Sequence, residues 1–120
     1  MSNSARSLFV FGLYMAVLGT LLLVAPNFLL GLFFFPGTTE PWIRVVGVLA
    51  LVVAYYDIQA GRKEITEFFK LSVHIRLTPI IFFTILVLLG YTRPQLILFG
   101  VVDLLGAIWT ALALRSLKTA

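Results

Sequence analysis

The stretch "LILFGVVDLLGAIWTALALR", residues 96–115, decides the fold class. A helix needs about 20 predominantly apolar residues to cross the hydrocarbon core of a bilayer, and this run has that length. One carboxylate, Asp103, lies near its middle, where water does not reach. The run therefore predicts a membrane-spanning helix that carries a buried acid in need of a partner or a function.

The composition of the whole chain also points to a bilayer as its surroundings. Of the 120 residues, 61% are hydrophobic and 12% are charged, and the mean hydropathy is +1.07. Soluble domains are about half apolar and a quarter charged. The length allows about four spans with short links, so we expect residues 1–120 to form a single integral membrane domain.

Four apolar runs predict an all-α fold, a four-helix transmembrane bundle. The runs lack the period-2 alternation of membrane strands, which argues against a barrel. The predicted spans cover approximately residues 7–25, 42–60, 71–89 and 95–114. The first run is too long for a signal peptide and lacks a small residue at a cleavage position, so we expect it to be retained.

Two local features modify this layout. The segment "FLLGLFFF", residues 28–35, is too short to cross and too apolar for water, so it predicts an interfacial or re-entrant short helix, with Asn27 placed to cap it. Within the third span, Pro79 frees the carbonyl group near Ile75. Either the Thr78 hydroxyl or a water molecule can satisfy that carbonyl.

The positive residues beside the spans predict the orientation. One side of the bundle carries six of them, whereas Arg93 and Arg44 lie on the other side. Because Lys and Arg are enriched in cytoplasmic loops, we expect a multi-pass protein of the inner (plasma) membrane with both termini cytoplasmic. The six residues on the cytoplasmic side are Arg6, Arg62, Lys63, Lys70, Arg115 and Lys118.

Asp103 is the first candidate site residue. An ionised carboxylate near the centre of a span costs about 2.5–3.5 kcal/mol on insertion scales, so it must face the bundle, be paired or be protonated. The small residues Gly100, Ala107 and Thr110 form a stripe around it that lets another helix approach closely. A structural hydrogen bond and a functional site both explain this acid, and the sequence leaves both open.

Four further polar residues, Arg44, Asp57, His74 and Arg76, lie within or at the ends of the spans. Depth places Asp57 near Arg76, with His74 as a third member, whereas Arg44 reaches either inward to Asp103 or outward to the headgroups and Glu40. Arg76 also suits snorkelling to phosphates, and His74 suits a polar position at the interface. With Asp103, these residues are the candidates for ligand or ion binding.

The sequence lacks the residues that several kinds of catalytic and metal site require. The chain has no cysteine and one histidine, which excludes thiol catalysis and a metal site built from several imidazoles. No catalytic triad, zinc-protease motif or glycine-rich phosphate loop occurs in the sequence. Nothing therefore argues for an enzyme, a cofactor or a bound metal, and the positive residues at span ends do not form a nucleic-acid surface.

Two functional hypotheses follow. In the first, a polar seam between the helices binds or passes a small solute, an ion or an amphiphile. In the second, the protein is a non-catalytic accessory or structural subunit whose buried charges fix helix register. In both cases the partners are the lipid bilayer and either a second copy of the chain or another membrane protein.

The runs "GTLLLVAPNFLLGLFFFPGTTEPWIRVVGVLALVVAYYDIQAGR", "SVHIR" and "LILFGVVDLLGAIWTALALR" together resemble small four-helix bacterial membrane proteins of the broad DoxX-like type. The resemblance covers nearly the whole chain as a hydropathy layout with scattered Gly, Pro and Arg positions. It implies a four-helix bundle in the inner membrane and no catalytic residue. Some relatives are by name accessory subunits of oxidoreductases, which supports the second hypothesis.

Overall fold

The computed structural model describes residues 1–119 and gives side-chain surroundings for residues 1–116. Within these residues the chain forms helices and no strand, which confirms the predicted all-α class. The helices are α1 (Asn3–Val24), α2 (Pro26–Leu32), α3 (Trp42–Arg62), α4 (Thr66–Arg76), α5 (Pro79–Leu88) and α6 (Leu96–Thr119). Four stretches of the described chain are long and apolar enough to cross a membrane, by length and composition: Asn3–Val24, Trp42–Arg62, Thr66–Leu88 and Leu96–Ser116.

Two of these helices begin earlier than their apolar runs. The first begins at Asn3 instead of residue 7, because the Ser2 hydroxyl caps it by accepting a hydrogen bond from the Ala5 amide at 3.1 Å. The third begins at Thr66 instead of residue 71, and its polar first turn carries an ion pair between Lys70 and Glu67. Hydropathy predicted the apolar part of each helix and missed the polar turns beyond it.

The third stretch is broken as Pro79 predicted. Helix α4 ends at Arg76, and α5 begins at Pro79. The Thr78 hydroxyl donates a hydrogen bond of 2.7 Å to the carbonyl oxygen of Ile75. Of the two predicted ways to satisfy that carbonyl, the structure therefore uses the threonine side chain.

Helix α1 lies at the centre of the packing. It packs along α3 on one side and against α6 on another, while α4 and α5 pack on α6. Where α1 crosses α3, a Cβ atom added at Gly47 would lie 2.7 Å from the Gly19 carbonyl oxygen, so the two backbones are in contact. A buried apolar cluster forms where α1, α3 and α4 meet, made of Ala5, Leu8, Ala60 and Phe69.

The start of α1 and the last turns of α6 lie at one end of the bundle, with the segment that joins α3 to α4. The Ser2 amide and hydroxyl donate hydrogen bonds of 2.6 and 2.7 Å to the Glu64 carboxylate. The Trp109 indole donates to the side-chain oxygen of Asn3 at 3.3 Å. We call this end the terminal end; the side chain of Lys118 lies outside the residues whose surroundings are described.

The opposite end, the loop end, contains α2 and the segments 33–41 and 89–95. Asn27 is not the cap of α2, because Pro26 already occupies its first turn. Its side-chain oxygen instead accepts a hydrogen bond from the Thr38 amide at 2.8 Å. This contact ties segment 33–41 back onto the short helix.

Candidate functional site

Arg76, the last residue of α4, lies in the middle of the polar side chains of the bundle. Its side chain is only 5% exposed. The guanidinium donates to the Thr110 hydroxyl of α6 at 2.7 Å and to its own helix at the Ser72 carbonyl oxygen at 3.3 Å. Its central carbon lies 4.8 Å from the centre of the Phe11 ring, so the cation also contacts an aromatic face of α1.

Thr110 extends this contact to a third helix. Its hydroxyl is fully buried and lies 2.6 Å from the Ser7 hydroxyl of α1. Ser7 in turn donates to the carbonyl oxygen of Ser4 at 2.7 Å. A short polar chain thus joins α1, α4 and α6 through side chains that are shielded from solvent.

The two carboxylates of the predicted seam lie near Arg76. Asp57 of α3 is 4% exposed, and Asp103 of α6 is partly buried. Both interact electrostatically with Arg76. Among the described residues, however, neither forms an ion pair with it closer than 4.0 Å, and neither accepts a hydrogen bond from a protein donor.

One nitrogen of Arg76 has no partner. Its Nη1 atom is buried and makes no hydrogen bond within the part of the chain that the structure describes. A Cβ atom added at Gly106 would lie 3.0 Å from this nitrogen, so it lies over the α6 backbone. Since Nη2 reaches Thr110, one turn along α6, Nη1 is left on the side of Asp103, which precedes Gly106 by three positions.

A cavity of about 510 Å³ opens above Asp103 toward the loop end. Its walls are apolar and come from every long helix, with the side of α2 as its ceiling. Asp103 and the Tyr14 phenol are the polar side chains of this lining. Representative wall residues are Leu18 of α1, Leu29 of α2, Val46 and Leu49 of α3, Phe83 of α5 and Phe99 of α6.

This large cavity is open between α3 and α5. Both helices contribute to its wall, but in the described chain they share no extensive contact, because α3 packs mainly on α1. The gap is therefore a lateral entrance from the surface of the bundle.

A smaller cavity of about 290 Å³ continues along α3 toward the terminal end. Asp57 and Arg76 contribute to its wall, and Val53 lines both cavities. Phe11 borders the small cavity and Tyr14 the large one, with ring centres 5.8 Å apart. The cavities are thus neighbours along one face of α3, separated by apolar and aromatic side chains.

The structure brings together three of the five candidate residues, Asp57, Arg76 and Asp103. Arg44 is exposed, and its guanidinium donates to the Leu23 carbonyl oxygen in the last turn of α1. It therefore stabilises a helix end that has unpaired carbonyl groups, and reaches neither Asp103 nor Glu40. His74 is exposed on the surface of α4 and does not join Asp57 and Arg76.

Sequence reasoning missed the hydroxyl groups that anchor Arg76. Thr110 was placed among the small residues near Asp103, and its hydrogen bond to Arg76 was not predicted. Ser7 and Tyr14 also lacked a predicted role at the site. A usable signal existed for Thr110 and Ser7, since both are polar residues at the terminal end of an apolar run, at a depth similar to that of Arg76.

No family model, curated protein or solved structure matches this chain. The resemblance to DoxX-like proteins therefore stays a prediction. A helical bundle by itself implies no function.

Proposed function

We propose that the protein spans the inner membrane four times, with its terminal end in the cytoplasm. The four long apolar helices and the excess of Lys and Arg at the terminal end support this orientation. Trp42 and Tyr91 are exposed near the loop end, and Trp109 lies toward the other, as expected of aromatic residues at the two interfaces. Since the chain lacks cysteine, single cysteines introduced at Thr39 and at Lys63 test this orientation. A thiol reagent that does not cross the membrane is expected to label the first from outside the cell and the second only from the cytoplasmic side.

We propose that the protein binds an amphiphile in the large cavity and is not an enzyme. The apolar body of the ligand occupies the space between α3 and α5, and its polar end lies at Asp103. The observation that carries this proposal is an apolar cavity of about 510 Å³ with one carboxylate at its base. Ligand pockets commonly enclose roughly 300–1,000 Å³ and combine apolar walls with a few polar groups that fix orientation.

The lateral entrance supports a ligand that arrives through the bilayer. A molecule dissolved among lipid chains enters between α3 and α5 without passing through water, with its apolar part shielded throughout. The small cavity lies next to the large one along α3 and has Asp57 in its wall, so movement of the side chains between the two cavities gives the polar end of the ligand a route toward the terminal end. Transfer along this route is the second step of the proposed function.

Photolabelling tests where the ligand lies. A dodecyl amphiphile with a diazirine on its chain is bound to the protein in phosphatidylcholine nanodiscs, irradiated and mapped by mass spectrometry. We expect saturable labelling at Leu49, Phe83 and Phe99, which excess unlabelled amphiphile suppresses. Labelling of Val48 and Leu112, which are exposed and do not line the cavity, is expected to be non-saturable. Equal, non-saturable labelling of both sets would contradict the proposal.

One observation favours the accessory role as the second candidate. None of the residues of α5 is buried within this chain, so its surface is available to a helix of a second copy or of another membrane protein. Such a helix would close the gap between α3 and α5. Crosslinking between copies through a cysteine at Ile85, abolished by a bulky residue at the entrance, would favour this role over ligand binding.

A further inference from the structure

The side chains around the two cavities carry an unbalanced charge. Asp57 of α3 and Asp103 of α6 are two carboxylates, and they share the single guanidinium of Arg76. When all three groups are ionised, two negative charges against one positive charge leave a net charge of −1. The other ionisable group at this site is the Tyr14 phenol of α1, which adds no positive charge.

The remaining helices do not balance this charge. Helices α2 and α5 contain no ionisable residue. Arg44 binds the end of α1 at the bundle surface, and His74 is exposed on α4, away from the cluster. An unbalanced charge inside a bilayer is costly. The cluster is electrically neutral only when it holds one additional positive charge, so we expect it to bind one.

The hydrogen bonds of Arg76 leave the Asp103 carboxylate available to bind the additional positive charge. Two of its nitrogens are held by Thr110 and Ser72, and Nη1 is buried without a partner. Since no ion pair closer than 4.0 Å joins Arg76 to either acid in the described chain, its charge is shared and neither acid is fully compensated. Asp103 is the carboxylate that faces the large cavity.

We propose that the ligand of the large cavity is a monocationic amphiphile, and that its binding displaces one proton from the carboxylate pair Asp57 and Asp103. This inference rests on the proposed function and names the ligand class. Before binding, one carboxyl group holds a proton and the cluster is neutral. On binding, that proton leaves to water and the cationic end takes its place beside Asp103, so one proton is released for each cation bound and the cluster stays neutral.

Three probes with the same chain and different ends test the charge preference. Dodecyltrimethylammonium, dodecan-1-ol and dodecanoate are titrated calorimetrically into the protein in phosphatidylcholine nanodiscs, with empty nanodiscs as background. We expect the cation to bind at least tenfold more tightly than the alcohol, and the anion to bind more weakly than either. At pH values where the empty site is protonated, the Kd of the cation is expected to fall about tenfold for each unit by which the pH rises, because the cation competes with the proton.

Proton release is measured in the same titrations by using buffers that differ in ionisation enthalpy. The expected value approaches one proton per bound cation under conditions where the empty site is protonated, and zero for the alcohol. Equal affinity for the cation and the alcohol, without proton release, would overturn this inference and leave the proposed function standing. Saturable binding of none of the three probes would contradict the proposed function itself.

Charge variants separate this site from simple attraction to the protein surface. Asp103→Asn removes the excess charge, so the preference for the cation and the proton release are expected to disappear while the alcohol still binds. Asp57→Asn has the same effect on the charge balance and replaces Asp103→Asn in this test if that variant fails to fold. The double variant leaves Arg76 in excess, so the preference is expected to shift to dodecanoate.

Glu40→Gln is the matched control. Glu40 is an exposed carboxylate of segment 33–41, outside the lining of both cavities, so its loss changes the net charge of the protein by the same amount. Its cation affinity and proton release are expected to equal those of the unmodified protein. If Glu40→Gln and Asp103→Asn weaken cation binding equally, the preference is a surface effect and the inference is wrong.

Discussion

At the scale of single residues, Arg76 stabilises the packing and Asp103 does not. Arg76 connects α4 to Thr110 and, through it, to Ser7, and no other described side chain can replace its charge beside Asp57. Asp103 accepts no hydrogen bond from the described residues and borders a cavity. Removal of Arg76 therefore leaves buried groups without a partner, whereas removal of the Asp103 carboxylate breaks no hydrogen bond among the described residues.

Replacing each by leucine tests this difference. Arg76→Leu is expected to lower the free energy of unfolding by about 3–5 kcal/mol, because it leaves buried carboxylates without a counter-charge. Asp103→Leu is expected to leave it unchanged or to raise it, since this carboxyl group accepts no hydrogen bond from the described residues and its removal leaves Arg76 paired with Asp57 alone. Denaturant unfolding in mixed micelles measures both changes.

His74→Leu is the control for these variants, since its side chain is exposed on the same helix as Arg76. A change within about 0.5 kcal/mol is expected there. If Asp103→Leu destabilises the protein as strongly as Arg76→Leu, Asp103 is a structural lock and the accessory role takes precedence.

The sequence predicted some residues of this site but not the hydrogen bonds that connect them. The depth of Asp57 and Arg76 along neighbouring spans predicted that they lie close together, and both border the small cavity. The bond from Arg76 to Thr110 depends on which face of α6 turns toward α4. Hydropathy does not fix that rotation when a helix is apolar on nearly every side.

At the scale of helices, the contact between α1 and α3 is made backbone to backbone. Gly47→Ala is expected to destabilise the protein by about 1–3 kcal/mol, because the added methyl group meets the Gly19 carbonyl oxygen and the helices must separate. Gly31→Ala is the matched control, with no atom within 4 Å of the added carbon. Because alanine favours a helix more than glycine does, Gly31→Ala is expected to be neutral or slightly stabilising. A stability loss of the same size in both variants would contradict close packing at Gly47 as its cause.

The terminal end of the bundle contains a pH-sensitive contact. Hydrogen bonds from the Ser2 amide and then from its hydroxyl lower the pKa of Glu64, which is exposed and lies outside the long helices. A carboxyl group with a lowered pKa in the folded state stabilises that state above its unfolded-state pKa. This contribution is lost as the pH falls through the lowered value.

An NMR titration of the Glu64 carboxyl carbon measures this effect. We expect a midpoint below the ordinary range of a glutamate, and Ser2→Ala is expected to move it upward because one donor is removed. The stability difference between the two proteins should be larger at neutral pH than in acid, where only the loss of the Ser2 cap on α1 remains. An identical midpoint in both proteins would contradict the contact between α1 and the α3–α4 segment.

The existence of the helices was predictable, whereas the polar starts of the first and third spans were not. Four apolar runs and Pro79 determine where helices and a break occur, since both depend on local residue chemistry. The polar turns before residues 7 and 71 depend instead on Ser2 and on the ion pair between Glu67 and Lys70, which extend helices beyond the apolar runs.

At the scale of the whole molecule, the cavity is a consequence of the order of helices around α1. Because α3 packs on α1 and the α4–α5 stretch packs on α6, the second and third long helices face each other across a gap. No single run of sequence contains this information, since each helix presents apolar residues in most directions. The lateral entrance was therefore outside what the sequence predicted, whereas Asp57, Arg76 and Asp103 were among the predicted site residues.

The most direct test of amphiphile binding blocks the cavity from α3. Val46→Trp places a large ring in the lining, whereas Val45→Trp places the same ring on an adjacent position outside it. The two valines are similarly exposed, at 49% and 45%, so both variants are expected to fold equally well. The measurement is calorimetric binding of dodecan-1-ol, the uncharged probe, in phosphatidylcholine nanodiscs. We predict that Val46→Trp weakens binding at least tenfold and that Val45→Trp leaves it unchanged. Equal binding by both variants and the unmodified protein would contradict a ligand site between α3 and α5.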